Sequence, residues 1–282
     1  MIPTVSCRGA PRDLGWDQGR ACAEVLRRTS RARVLRSWKS GGARSALLSD
    51  LRRHFPHQAE QLEGIARGAG VGLNALAAEW LRCLREPMFA VAAICEGSAQ
   101  LYAALPGDAV LRHSRSEGRF ETDEYCRPSL TAPLLGVNEA GLAVAVLGRC
   151  ALEGRTAPGA LLARDCLERF EDVEAALAWC RVRPVARGHA LLFADALGGL
   201  CAVDRRDAVL KRVAPQAGLI CLGVSPEVSV ALRAALADGE AALGAELGLL
   251  WDSDLACADP VARCTRLIVP QRRADRPVRP GS

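Results

Sequence analysis

Glu96-Gly97-Ser98-Ala99-Gln100-Leu101-Tyr102-Ala103-Ala104-Leu105-Pro106 is where the hydrophobic pattern of the chain changes. Upstream, apolar residues recur at helical spacing. From Ser98 onward they fall into short runs bounded by Gly, Pro, Asp and Asn, the signature of strands and turns. Ala99–Ala103 reads as a strand, Pro106-Gly107-Asp108 as a turn, and Ala109–His113 as the second arm of a hairpin.

Upstream, a helix is expected to open at Pro11, which suits a first helical turn, and to run through Trp16, Ala21, Val25 and Leu26. A second is expected from about Gln58 to Arg67, ended by Gly68 and Gly70. A third starts near Asn74 and stops at Pro87. Downstream, strands are expected at Leu134–Val137 and Leu142–Leu147, then helices at Gly159–Phe170 and Val173–Arg181. Strands return at Ala190–Ala194, Leu200–Val203, Val209–Val213 and Leu219–Gly223. A long helix from Pro226 to Leu250, interruptible at Gly239, precedes a last strand at Arg266–Val269. Short turns between strands favour antiparallel pairing, and helices before and after them favour sheets covered by helices.

Composition bounds the rest. The 282 residues are 50% hydrophobic and 24% charged, which is globular composition and excludes a disordered or collagen-like chain. No apolar run approaches the roughly 20 residues of a membrane span. The start carries no basic region followed by an apolar one, so a cytoplasmic protein is expected. The 12 cysteines form no CxxC pair, and the four histidines make no zinc pattern with them. No metal or cofactor is expected, and the thiols read as small buried hydrophobes. Arg27, Arg28, Arg31, Arg33, Arg36 and Lys39 make a basic stripe, read as a solvated helix face. With two tyrosines in the chain, stacking platforms for bases are lacking and no nucleic-acid partner is expected.

Several motifs, in order, resemble one family. Gly9-Ala10-Pro11-Arg12-Asp13-Leu14-Gly15 with Gly19 is similar to the first-helix motif of the acyl-CoA:isopenicillin N acyltransferase family, peptidase family C45 of the N-terminal nucleophile (Ntn) hydrolases. Gly64-Ile65-Ala66-Arg67-Gly68-Ala69-Gly70-Val71 resembles its Gly-Ile-Ala-x-Gly-Ala-Gly signature. Gly136-Val137-Asn138-Glu139-Ala140-Gly141-Leu142-Ala143-Val144 resembles a further strand motif, and Arg164 with Leu167-Glu168 fits the helix after it.

The resemblance implies an α+β fold: a four-layer αββα Ntn-hydrolase-like sandwich of two mainly antiparallel sheets flanked by helices. It implies one domain over residues 1–270, with residues 1–97 as a helical pro-region or α-subunit-like part and 98–270 as the sheet-rich part. Residues 271–282 would be a flexible Arg- and Pro-rich tail.

Family chemistry sits at an internal Gly-Cys bond that the precursor cleaves itself. The freed α-amine, with an ordinary pKa of roughly 7.7–8.0, serves as base for the side chain beside it. Aligned without gaps, that bond is Gly97–Ser98, and the nucleophile is Ser98. With gaps it is Cys95. The family's Gln-Asn-x-Asp falls on His113-Ser114-Arg115-Ser116, with Glu117 one residue beyond. Ser114, Ser116 or Glu117 is therefore the expected partner of the amine. The family's oxyanion Asn falls on Gly223, and a further Asn on Leu147, so backbone amides must serve the oxyanion. The implied activity is an amidohydrolase or N-acyltransferase acting on a small-molecule or peptide amide, with acyl-CoA a candidate donor. The alternative is an inactive relative that binds a ligand or protein partner. Oligomeric state is left open.

Overall fold

A computed structural model describes residues 2–34, 41–86, 88–95, 98–148, 159–183, 188–204, 210–222, 224–251, 255–259 and 264–268. Arg36, Lys39 and the tail 271–282 lie outside the described residues, as do Glu96, Gly97 and Gly223.

The elements run β1 (Thr4–Gly9), α1 (Pro11–Ala21), α2 (Ala23–Val34), α3 (Gly41–His54), α4 (Pro56–Ala69), α5 (Leu73–Arg85), β2 (Ala90–Cys95) and β3 (Ser98–Ala104). Next come β4 (Val110–Ser116), β5 (Thr122–Cys126), β6 (Leu135–Asn138), β7 (Leu142–Gly148), α6 (Leu161–Arg169) and α7 (Val173–Val182). The last are β8 (His189–Asp195), β9 (Leu200–Asp204), β10 (Lys211–Val213), β11 (Leu219–Cys221), α8 (Pro226–Ala237), α9 (Glu240–Trp251), β12 (Leu255–Asp259) and β13 (Cys264–Ile268).

The described strands form an eight-stranded sheet, β1-β4-β5-β6-β7-β8-β9-β10, and a five-stranded one, β11-β2-β3-β12-β13. Every pairing is antiparallel except β1 with β4. Alternation along the strands divides the core in three. Val5, Val144, Val146 and Phe193 face out from the large sheet onto α1, α4, α5, α6 and α7 through Leu62, Ile65, Trp80, Leu161 and Leu177. Between the sheets lies a layer dominated by alanine: Ala92, Ala99, Ala103, Ala143, Ala145, Ala190 and Ala202 among others. On the far side Val91, Ala93 and Tyr102 of the small sheet meet Leu232 of α8 and Leu243 and Leu247 of α9. The order is α, β, β, α, the expected four layers, each sheet buried on both faces.

Alternation fails to betray β2 because its Ala-Val-Ala-Ala-Ile-Cys run is built on a poor strand former. Small side chains nevertheless suit a position between two sheets. β1 offers only Val5 and Cys7 on its buried face, too short a signal to read as a strand. The expected hairpin through Pro106 does not form: β3 and β4 belong to different sheets, and the turn carries the chain from one layer to the other. The long helix does break at Gly239, whose φ of +103° is a conformation glycine adopts freely.

The family-like glycines have a packing role. α1 and α4 cross so closely that a Cβ on Gly15 would stand 1.9 Å from the Gln61 carbonyl oxygen. A Cβ on Gly64 would stand 2.1 Å from the Arg12 carbonyl oxygen, and Gly19 and Gly68 are as tightly faced. Two glycines four apart on each helix let the backbones touch, and any side chain there would force them apart. No described helix is long and apolar enough to cross a membrane.

Candidate functional site

Ser98 is the first residue of β3 and pairs with Cys95 of β2. Ala99, Leu101 and Ala103 point into the layer between the sheets, so Ser98, Gln100 and Tyr102 point toward α8 and α9. The Ser98 hydroxyl oxygen is buried and, among the described residues, has no hydrogen-bond partner. Around it lies a polar row. Tyr102 Oη donates to Gln100 Oε1 at 2.6 Å, so the Cys95 thiol, 3.3 Å from Tyr102 Oη, is the donor in that contact. Cys257 Sγ donates to Gln100 Oε1 at 3.7 Å. Burial, then the neighbouring Cys257, push the Tyr102 phenol well above its ordinary value, so it remains a neutral donor.

The expected helpers stand elsewhere. β3 packs over β6, β7 and β8, whereas β4 lies nearer the free edge of the large sheet. Ser114 is buried on the helix side of that sheet, where its hydroxyl accepts from Arg164 Nη1 at 3.4 Å. Ser116 ends β4 opposite Gly9, and Glu117 is exposed just beyond, its backbone N–H bonded to the Gly9 carbonyl. The structure thus brings Ser98 and Cys95 together, and Ser114 and Ser116 onto one strand, but it does not join the two groups. Leu147, at the position of a family Asn, is packed between the sheets.

A cavity of about 310 Å³ opens instead at the β1–β4–β5–β6 end of the large sheet. Val5 and Cys7 belong to the helix-side core, so Ser6 and Arg8 point the other way. By the same alternation Leu111 and Tyr125 place His113, Arg115 and Asp123 on that inner face. His113 Nδ1 is hydrogen-bonded to Asp123 Oδ1, and Arg115 Nε donates to Glu121 Oε2 at 2.8 Å. The sequence offered no sign of this grouping, since β1 was not read as a strand and β5 lay in an unassigned stretch. A second cavity, between α3 and the start of α5, is lined by Ser45, Ser49, Arg52 and Asn74 among others. Among the described residues no three His, Cys, Asp or Glu side chains are grouped to hold a metal ion.

In class, then, the chain is a four-layer αββα sandwich with a serine opening an inner strand of the smaller sheet. Among solved structures it is similar to penicillin V acylase from Agrobacterium tumefaciens, with a TM-score of 0.36 and 17% identity over 53% of this chain and 56% of that one. It is also similar to a mutant of conjugated bile acid hydrolase from Clostridium perfringens, with a TM-score of 0.36 and 13% identity over 51% of this chain and 57% of that one. The chain spans about half the length of these structures. No protein-family model and no curated protein matches the sequence. A likeness at that level assigns neither family nor activity, and the resemblance to the acyltransferase family is one of sequence motifs alone.

Proposed function

We propose that the chain is an N-terminal-nucleophile amidohydrolase or N-acyltransferase that forms an acyl-enzyme on Ser98 after cleavage of the Gly97–Ser98 bond. The observation that carries this reading is the unpartnered, buried hydroxyl at the first residue of β3. Leaving a buried hydroxyl unpaired costs about 1–3 kcal/mol. A hydroxyl reserved for attack on the adjoining carbonyl accounts for that cost. Cys95 is the weaker candidate because its thiol is engaged by Tyr102.

In the first step Ser98 Oγ adds to the Gly97 carbonyl carbon, the C–N bond breaks, and the amide becomes an ester. Water then hydrolyses the ester, leaving the Gly97 carboxylate and the Ser98 α-amine. In turnover that amine takes the hydroxyl proton as Oγ adds to a substrate acyl carbon, and the proton passes to the leaving amine or thiol. The acyl ester is released to water or to an acceptor amine. Ser114 is held by Arg164, and Ser116 and Glu117 stand with it at the β4 end of the large sheet, so none of the three is assigned to the amine. The substrate class is a small amide, peptide amide or acyl thioester.

A second reading, a binding protein without chemistry at Ser98, is favoured by one observation: Ser98 lines neither cavity. The intact mass of the purified, incubated chain separates the two. The first reading requires two fragments meeting between Gly97 and Ser98, and Ser98→Ala must abolish the cut. A cut lost in Cys95→Ala but kept in Ser98→Ala would move the nucleophile to Cys95. A chain that stays whole supports the binding reading.

A further inference from the structure

The cavity at the edge of the large sheet holds a second set of reactive groups. In the parallel ladder of β1 with β4, Ser6 is in register with His113. In the antiparallel ladder of β4 with β5, His113 is in register with Asp123. Serine, histidine and aspartate therefore stand side by side across three neighbouring strands, and all three line one cavity. In-register side chains on adjacent strands have their Cβ atoms about 5 Å apart, so Ser6 and His113 stand on neighbouring strands within reach of one side-chain rotation.

The polarity of the row is the one that nucleophilic chemistry needs. Asp123 accepts the hydrogen bond from His113 Nδ1, so the ring proton sits there and Nε2 is left to accept another. Ser6 is exposed on the cavity side. The ladder bonds from Leu111 N–H to the Pro3 carbonyl and from Glu117 N–H to the Gly9 carbonyl show that odd-numbered residues of β1 face β4. The N–H groups of Ser6 and Arg8 therefore point to the free edge of the sheet. Asp17 already takes that of Arg8, and that of Ser6 remains for a developing oxyanion. Arg8 also carries a cationic side chain on the same face, two residues along.

We infer that Ser6, His113 and Asp123 form a second nucleophilic site, independent of Ser98, that hydrolyses small esters and favours an acyl group bearing a carboxylate near Arg8. Ser6 Oγ adds to the acyl carbon as its proton passes to His113 Nε2. The ester C–O bond breaks, and the leaving oxygen takes that proton to become an alcohol. Water then adds to the acyl-serine, giving its proton to Nε2. That proton returns to Ser6 Oγ as the acid departs. Asp123 is a positioning residue, holding the ring and its Nδ1 proton throughout.

A fluorophosphonate probe, which phosphonylates activated serines, tests the site in the full-length chain when the modified peptide is mapped by mass spectrometry. The expected label falls on the peptide containing Ser6 and is absent in the Ser6→Ala chain. In His113→Gln the labelling rate should fall about 100-fold or more. Hydrolysis of a p-nitrophenyl hemisuccinate should fall in parallel, while Ser49→Ala at the other cavity matches the parent. Ser6 is exposed, so Ser6→Ala should melt with the parent chain and keeps the test decisive if His113→Gln fails to fold. A label on Ser98 alone, no label on any serine, or equal turnover in Ser6→Ala would overturn the inference. Whether the chain is cut before Ser98 has no bearing on it.

Discussion

Arg112 of β4 and Glu124 of β5 face each other across one rung of the large sheet, both shut off from solvent. Arg112 Nε donates to Glu124 Oε2 at 2.8 Å, and Arg164 Nη1 of α6 reaches the same oxygen at 2.8 Å. Arg112 also donates to Gln18 Oε1 of α1, while Arg164 Nε binds Glu168. One carboxylate thus serves two buried guanidinium groups and ties the sheet to helices from both halves of the sequence. Glu124→Ala takes the paired carboxylate from Arg112 and leaves Arg164 with Glu168 alone, and should cost about 3–5 kcal/mol in urea unfolding. A loss under about 1 kcal/mol, the range of an exposed pair, would mean that water enters this layer.

Acid should undo the same interactions. Burial alone would raise the Glu124 carboxyl, but Arg112 and Arg164 outweigh it and hold it below its ordinary value. Asp165 is likewise raised by burial, yet the hydrogen bond and charge of His57, 2.7 Å away, bring it low. Both groups bind protons more weakly in the folded chain than in the unfolded one. Their stabilisation is therefore complete above the ordinary carboxylate values of roughly 4 and fades as pH falls through them. The urea midpoint should drop steadily from about pH 5 downward. Asp165→Asn should start lower and fall less steeply, and an unchanged slope would contradict the assignment.

Substituting glycines separates packing from helix propensity. Alanine is favoured over glycine inside a helix by about 0.5–1 kcal/mol. Gly42 of α3 has open space where a Cβ would sit, with nothing within 4 Å, so Gly42→Ala should raise the melting temperature. Gly15→Ala puts a methyl against the Gln61 backbone and should lower it by several degrees despite the same propensity gain. A rise in both would mean that α1 and α4 are not in contact.

The thiols should be quiet. Among the described residues nine cysteines are buried and Cys221 is partly so, and burial pushes Cys7 and Cys22 up to about 12. Peptides carrying these two should resist iodoacetamide at about pH 8 in the native chain and react fully in urea.

The layered class was legible because the strands from Leu134 to Leu222 alternate or run apolar, and because Gly239 and Pro226 punctuate the last helices. β2 and β12 were hidden by alanine and small polar residues, which fit the gap between sheets but carry little strand signal. The turn at Pro106 was correctly placed and wrongly joined, because a turn residue does not say which sheet the next strand enters. Ser98 and Cys95, the two candidates the motif alignment offered, are partners in the β2–β3 ladder. The Ser6, His113 and Asp123 row was beyond reach, since it depends on the register of three strands, two of them unread. Gly15, Gly19, Gly64 and Gly68 matched family motifs for a packing reason, independent of catalysis.

The central claim concerns a new amino terminus at Ser98. Chemical tagging of α-amines on the purified, incubated chain, followed by peptide mapping, measures it directly. The account predicts a tagged Ser98 amine in the parent protein and none in Ser98→Ala. A chain that never yields a tag at Ser98, under conditions in which its own first residue is tagged fully, would contradict it.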